Sequence, residues 1–179
     1  MRYIVILLLL ATVPITAAKA GPIAHMFEGG YDVVPWGTSL EDLIAGHPGG
    51  DHFFAAGTGD RDYLLSDEKA MFGIARPRMR VRYFLDDTNS VSSVALTFPY
   101  SQRQKLLGML TISFGPYQRM FSKGISTYYV WKRDDGIGIE LAATLDPTYG
   151  ILSLSISGPN SELTRHGQPD CADKLSTHK

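Results

Sequence analysis

Arg76, Arg78, Arg80 and Arg82 occupy alternate positions along one short stretch. Successive side chains of a β-strand point to opposite faces, so this spacing puts four guanidinium groups on one side, roughly 7 Å apart. Such a strip suits a carboxylate-rich protein, an anionic glycan or a phosphate, because each planar fork can hold two acceptor oxygens. The plainer alternative is a solvated sheet edge that charge protects from aggregation, with Asp86, Asp87 or Glu140 as counter-ions. Further along, Tyr129 and Trp131 share one strand face while Tyr128 and Val130 share the other, and aromatics beside arginines make a recognition surface. The expected binding surface is Arg76, Arg78, Arg80, Arg82, Tyr129, Trp131 and Glu140.

Catalytic chemistry finds less support. His47, Asp51 and His52 form a tight group of metal-ligand types in a glycine-rich stretch, but they need a further ligand and match no zinc spacing, so the expectation is no metal. Ser39, Ser66 and Ser101 lie in no nucleophile-elbow pattern, and Cys171 has His166 and His178 near it only in sequence. Glu28, Glu41, Asp42, Asp86 and Asp87 offer acids without a defined pair. Gly57-Thr58-Gly59 lacks the lysine of a phosphate-binding loop and Gly136-Ile137-Gly138 lacks a dinucleotide fingerprint, so no cofactor is expected.

These residues depend on an α+β framework for their positions. Tyr31, Val33 and Val34 read as a brief strand closed by Pro35. Thr38 and Glu41 then have capping-box spacing ahead of an apolar helix face formed by Leu40, Leu43 and Ile44, which Gly46 and Pro48 end. The stretch from His47 to Asp62 reads as a long loop. Short strands are expected at Tyr63 to Leu65 and Ala70 to Ile74, followed by a hairpin of Met79 to Leu85 and Val91 to Phe98 around Asp86 to Asn89. Ser101 and Gln104 repeat the capping-box spacing before Leu106, Leu107, Leu110 and Phe114, and Gly115-Pro116 closes that helix. Thr127 to Trp131, Ile137 to Leu145 and Ile151 to Ser157 read as three strands whose joins are too short for parallel crossovers. The expectation is two amphipathic helices on a predominantly antiparallel sheet, one face dry and one wet. The repeated order of helix then strands hints at a diverged duplication over 30–98 and 99–157.

The chain has 179 residues, 17 basic and 18 acidic side chains and a 44% hydrophobic fraction, which fits one domain with a real core and excludes an acidic disordered chain. Arg2, the apolar run from Ile4 to Ala11 and Ala18-Lys19-Ala20 read as a cleavable signal peptide over 1–20, ahead of a domain over 21–157 and a polar tail over 158–179. Cleavage removes Arg2 and Lys19 and shifts the net charge from −1 to about −3, which disfavours nucleic acid. The apolar run is short for a membrane span, so no stable transmembrane segment is expected after cleavage; an uncleaved signal would leave an anchor. No cysteine follows the run to accept lipid, and the single Cys171 permits no internal disulfide; a thiol pairing between chains is its functional reading. The expected location is the periplasm or the medium of a bacterium.

Pro35-Trp36-Gly37-Thr38-Ser39-Leu40, continued by Glu41-Asp42-Leu43, resembles the helix-initiating segment of small exported bacterial proteins. The downstream order looks like the tandem helix-plus-antiparallel-sheet modules of periplasmic inhibitors and outer-membrane assembly lipoproteins. Export, the absence of a catalytic constellation and the arginine strip lead to the expectation of an envelope binding or inhibitor-like protein that recognises a protein or an anionic ligand through an open sheet face. The alternatives are a small hydrolase or metal-dependent enzyme built on the glycine-rich loop, and a structural envelope protein.

Overall fold

The structure is a computed structural model that describes residues 27–55, 60–76, 78–145, 150–159 and 161. The expected signal peptide, the Gly57-Thr58-Gly59 stretch and Cys171 lie outside the described residues.

A two-residue pairing of β1 (Gly30–Tyr31) with β2 (Val34–Pro35) leads into α1 (Leu40–Gly46). The cap of α1 is Ser39, one residue beyond the expected Thr38: its hydroxyl oxygen accepts from the Asp42 amide at 3.1 Å. The Thr38 hydroxyl donates instead to the Pro35 carbonyl at 2.8 Å. One helix face turns inward at Leu43, which is fully buried, while Ile44 stays exposed.

The stretch expected to be a loop contains a strand. β3 (Asp51–Ala55) pairs with β4 (Asp60–Ser66), whereas the strand expected over 70–74 is a tight turn bridged between Met71 and Ile74. β5 (Arg80–Leu85) and β6 (Val91–Pro99) form the expected hairpin. The Asp86 carboxylate fastens its turn by accepting from the amides of Thr88 and Ser90 and from the Thr88 hydroxyl. A 3-10 turn (Tyr100–Gln102) runs into α2 (Arg103–Phe114); the expected Ser101–Gln104 box does not form, since the cap of α2 is Gln102, without a side-chain bond. Leu106 and Leu110 are buried but Ile112 is 78% exposed, so the apolar residues of α2 do not all share one face.

Four strands follow: β7 (Arg119–Lys123), unforeseen because it is short and mostly polar, then β8 (Ser126–Lys132), β9 (Gly138–Thr144) and β10 (Ile151–Ser157). All eight strands from β3 on form one antiparallel sheet in the order β3-β4-β5-β6-β10-β9-β8-β7. Beyond the β1–β2 pairing, each half of the chain thus contributes a helix and four strands of this sheet, and the halves join where β6 pairs with β10, Leu96 opposite Leu154. The protein is mixed α+β, dominated by antiparallel sheet.

Alternation divides the sheet. Tyr83, Leu96, Leu154, Leu141 and Trp131 point to one side, where Leu43, Leu106, Leu110 and Phe27 complete a continuous core. Ring contacts tie this layer together: Phe27 to Phe114 at 6.3 Å and Tyr31 to Tyr83 at 6.3 Å. Burying these side chains supplies the main driving force for folding and, among the described residues, leaves the other side of the sheet without a helix.

Candidate binding face of the sheet

The helix-free face follows from the strand register. One row across it runs Leu64, Arg82, Ala95, Ser155, Glu140, Val130, each residue opposite the next on the adjoining strand. The neighbouring row includes Thr97, Ser153, Ala142, Tyr128 and Phe121. In these two rows the floor over β6, β10 and β9 is therefore made of alanine, serine and threonine, with Glu140 of β9 among them. Larger side chains rise on both sides: Leu64, Arg80, Arg82 and Phe84 on one, Val130, Tyr128 and Phe121 on the other. The result is a trough, and at its arginine end lies a depression of about 530 Å³ lined by Leu64, Arg78, Arg80, Arg82, Phe84, Ile151, Ser153 and Ser155 among others.

The four arginines do not form one strip. Arg76 is fully buried: its Nε donates to the Thr97 carbonyl at 2.9 Å, Nη1 to Asp67 Oδ2 at 2.8 Å and Nη2 to the Arg80 carbonyl at 3.0 Å. Regular alternation begins only at Arg80, the first residue of β5, and Arg78 sits at φ 58, a left-handed conformation that breaks the two-residue period. The Arg78 amide is held by the Glu68 carboxylate at 2.9 Å, and its side chain is exposed at the mouth of the depression. Arg82 is anchored by Asp62 Oδ2 at 2.7 Å and lies 5.6 Å from the centre of the Phe84 ring. Among the described residues no carboxylate pairs with the guanidinium of Arg78 or Arg80, so these two are the available cations of the depression.

Tyr129 and Trp131 are a correction too. Both point into the core, 4% and 1% exposed, where Tyr129 accepts from Arg103 and Trp131 Nε1 donates to the Gly115 carbonyl at 2.9 Å. Their neighbours of opposite parity reach the trough instead. Tyr128 stacks on Phe121 with ring centres 4.9 Å apart, and Arg119 lies 4.8 Å over the Phe121 ring. Phe121 and Arg119 carry no sequence signal because β7 is short and mostly polar, and the pointer to Tyr128 is its parity opposite the bulkier Tyr129 and Trp131 pair.

Glu140 does lie on the trough floor, between Ser155 and Val130, and burial raises its pKa above the ordinary carboxylate value. Three strand spacings, about 14 Å, separate it from Arg82 in the same row.

The metal-ligand types do not gather. His47 caps the end of α1, its carbonyl accepting from the Tyr63 hydroxyl at 2.7 Å, and Asp51 and His52 project to opposite faces of β3 because they are adjacent in a strand. Among the described residues no three His, Cys, Asp or Glu side chains form a metal-holding group, and no helix is long and apolar enough to cross a membrane.

No protein-family model matches the chain, and no curated protein does. Among solved structures, the chain is similar to a DUF4309 family protein, YjgB, from Bacillus subtilis subsp. subtilis str. 168. That likeness has 12% identity, covers 67% of this chain and 78% of the other, and has a TM-score of 0.43.

Proposed function

We propose that this chain is a non-catalytic binding protein of the bacterial envelope that recognises an anionic partner through the helix-free face of its sheet. The observation that carries this reading is the presence of two guanidinium groups without a carboxylate partner among the described residues, Arg78 and Arg80, at one depression of a face that neither helix covers. An arginine already held by a buried carboxylate, as Arg82 is by Asp62, gains little from a second anion. Arg78 and Arg80 retain their full capacity to bind one. The placement outside the cytoplasm rests on the signal-like pattern of residues 1–20. Our reading of the repeated helix-then-four-strands order is a diverged duplication, in which two half-sheets joined at β6 and β10 create a trough that neither half provides alone.

The test uses the immobilised chain and an envelope extract. Salt-sensitive recovery of one partner, abolished in an Arg78→Glu/Arg80→Glu variant with an unchanged unfolding midpoint, is the expected outcome. Arg82 is left alone, because reversing it strands the buried Asp62 carboxylate and confuses folding with binding. Equal recovery by the variant removes the depression from the interface.

A further inference from the structure

We propose that the depression takes a free amphiphile: a single anionic head, such as a carboxylate, on an apolar body. This inference rests on the reading of the face as anion-recognising and narrows the ligand class. A volume of about 530 Å³ is that of a small-molecule site, and such sites are mostly apolar with a few placed polar groups. The lining has that character. Leu64, Met79, Phe84, Pro99 and Ile151 supply apolar surface, and the Thr97 hydroxyl is already engaged with the Arg80 backbone.

Charge is confined to one side, the wall formed by β5 and the residues just before it. Arg82 is neutralised by Asp62, so the head group lies with Arg80, with Arg78 at the rim. In the opposite direction the row passes Ala95 and Ser155 and reaches the partly buried Glu140, which carries no cation partner among the described residues. A polyanion laid across the trough, whether glycan or polyphosphate, brings negative charge onto that carboxyl, where low solvent access strengthens repulsion. A monoanion with its head at Arg80 and its apolar body against Met79, Pro99 and Ile151 avoids that conflict and covers the apolar lining.

Calorimetric titration of the chain with butyrate, octanoate and dodecanoate, each below its micelle concentration, tests the proposal, with dodecyltrimethylammonium as the cationic counterpart. The expected result is affinity that rises at least about tenfold from butyrate to dodecanoate, no competition by the cation, and a loss of about tenfold or more in Arg80→Gln. Ile151→Glu, which places a carboxylate against the apolar body, is expected to abolish dodecanoate binding, and circular dichroism checks that both variants are folded. Chain-length-independent binding overturns the amphiphile while leaving an anion-recognising face. Competition by the cation, or dodecanoate affinity unchanged in Arg80→Gln, overturns the placement of the head. Absence of binding by all three carboxylates also overturns the proposal. In that event, salt-sensitive recovery of a partner from envelope extract that is lost in Arg78→Glu/Arg80→Glu shows that the broader reading survives, and failure of that recovery ends both.

Discussion

Arg76 Nη1 donates to Asp67 Oδ2 across 2.8 Å, and the same guanidinium lies 5.1 Å from the centre of the Phe98 ring. The pair thus joins the segment before β5 to the core rather than to solvent. Tyr31 adds its hydroxyl to the same carboxylate at 3.1 Å, linking the short β1–β2 pairing to this network. Removing one partner of a buried ion pair strands the other, so Arg76→Met is expected to cost about 3–5 kcal/mol in urea unfolding. The double variant Arg76→Met/Asp67→Leu is expected to recover part of that loss, because neither charge is then left unpaired. A double variant as unstable as the single one contradicts this account.

The same pair sets an acid limit. Burial alone would raise the pKa of Asp67, but hydrogen bonds from Arg76, the Lys69 amide and Tyr31, together with the Arg76 charge, outweigh it and hold the carboxyl below its usual value. A carboxyl with a depressed folded pKa contributes stability that is complete above its unfolded pKa, about 3.9, and is lost as pH falls through the lower folded value. The unfolding free energy of the wild type is therefore expected to drop below about pH 4, and that of Asp67→Asn, already lower at pH 7, to fall less steeply there. Parallel pH profiles for the two proteins rule out Asp67 as a main contributor.

The sequence made some parts of this architecture plain and concealed others, for physical reasons. Alternation in Val81, Tyr83 and Leu85, and in Leu152, Leu154 and Ile156, identified strands and their dry side because each strand buries only one face. β3 was hidden because Phe53 and Phe54 are adjacent and flanked by glycines, and an edge strand has little need for alternation. Arg76 shares the parity of Arg80 in sequence, but the left-handed residue between them ends any shared period, and backbone dihedrals are not written in residue spacing. Spacing alone leaves Tyr129 and Trp131 free to face either way, because both parities of β8 carry aromatic or apolar residues. Packing against Tyr117 and the bond to Gly115 decides which set goes inside, and both partners lie outside the strand. Arg80, Arg82 and Glu140 share the trough as expected, which shows how far parity alone reaches once the strand bounds are right.

The cap of α1 separates two adjacent hydroxyls. Ser39→Ala removes the acceptor for the Asp42 amide and is expected to cost about 1 kcal/mol. Thr38→Ala loses only an exposed bond to the Pro35 carbonyl and is expected to stay within about 0.5 kcal/mol. Chemical denaturation of the two variants side by side checks the assignment, and the reverse order contradicts it.

Gly30 is required at the first position of β1. Its φ is 145, and a Cβ there would meet the Val34 carbonyl oxygen at 2.0 Å, so Gly30→Ala demands both a disfavoured dihedral and a displaced β2. The expected cost is at least about 2 kcal/mol. Gly29→Ala, where an added Cβ meets nothing within 4 Å, is the matched control and is expected to be near neutral. Thermal unfolding of both separates a local backbone requirement from a general intolerance of this segment.

Glu140 gives a prediction of opposite sign to Asp67. Burial raises its folded pKa above the ordinary 4.5, so the folded state holds its proton to higher pH than the unfolded chain does. Well below pH 4.5 both states are protonated and the group is neutral in effect; as pH rises through the window between the unfolded and folded values, stability falls, and above it a fixed penalty remains. Glu140→Gln keeps the shape and removes the ionisation, so it is expected to match the wild type in acid and to be the more stable of the two at pH 7. The difference should grow across that window and then level off, as read from urea unfolding at half-unit pH steps. The same variant relieves the repulsion that we assign to the trough floor, so the chain should also accept dicarboxylates that the wild type rejects. A stability difference that does not change with pH refutes the burial penalty at Glu140, and dicarboxylate binding unchanged in Glu140→Gln refutes the repulsion.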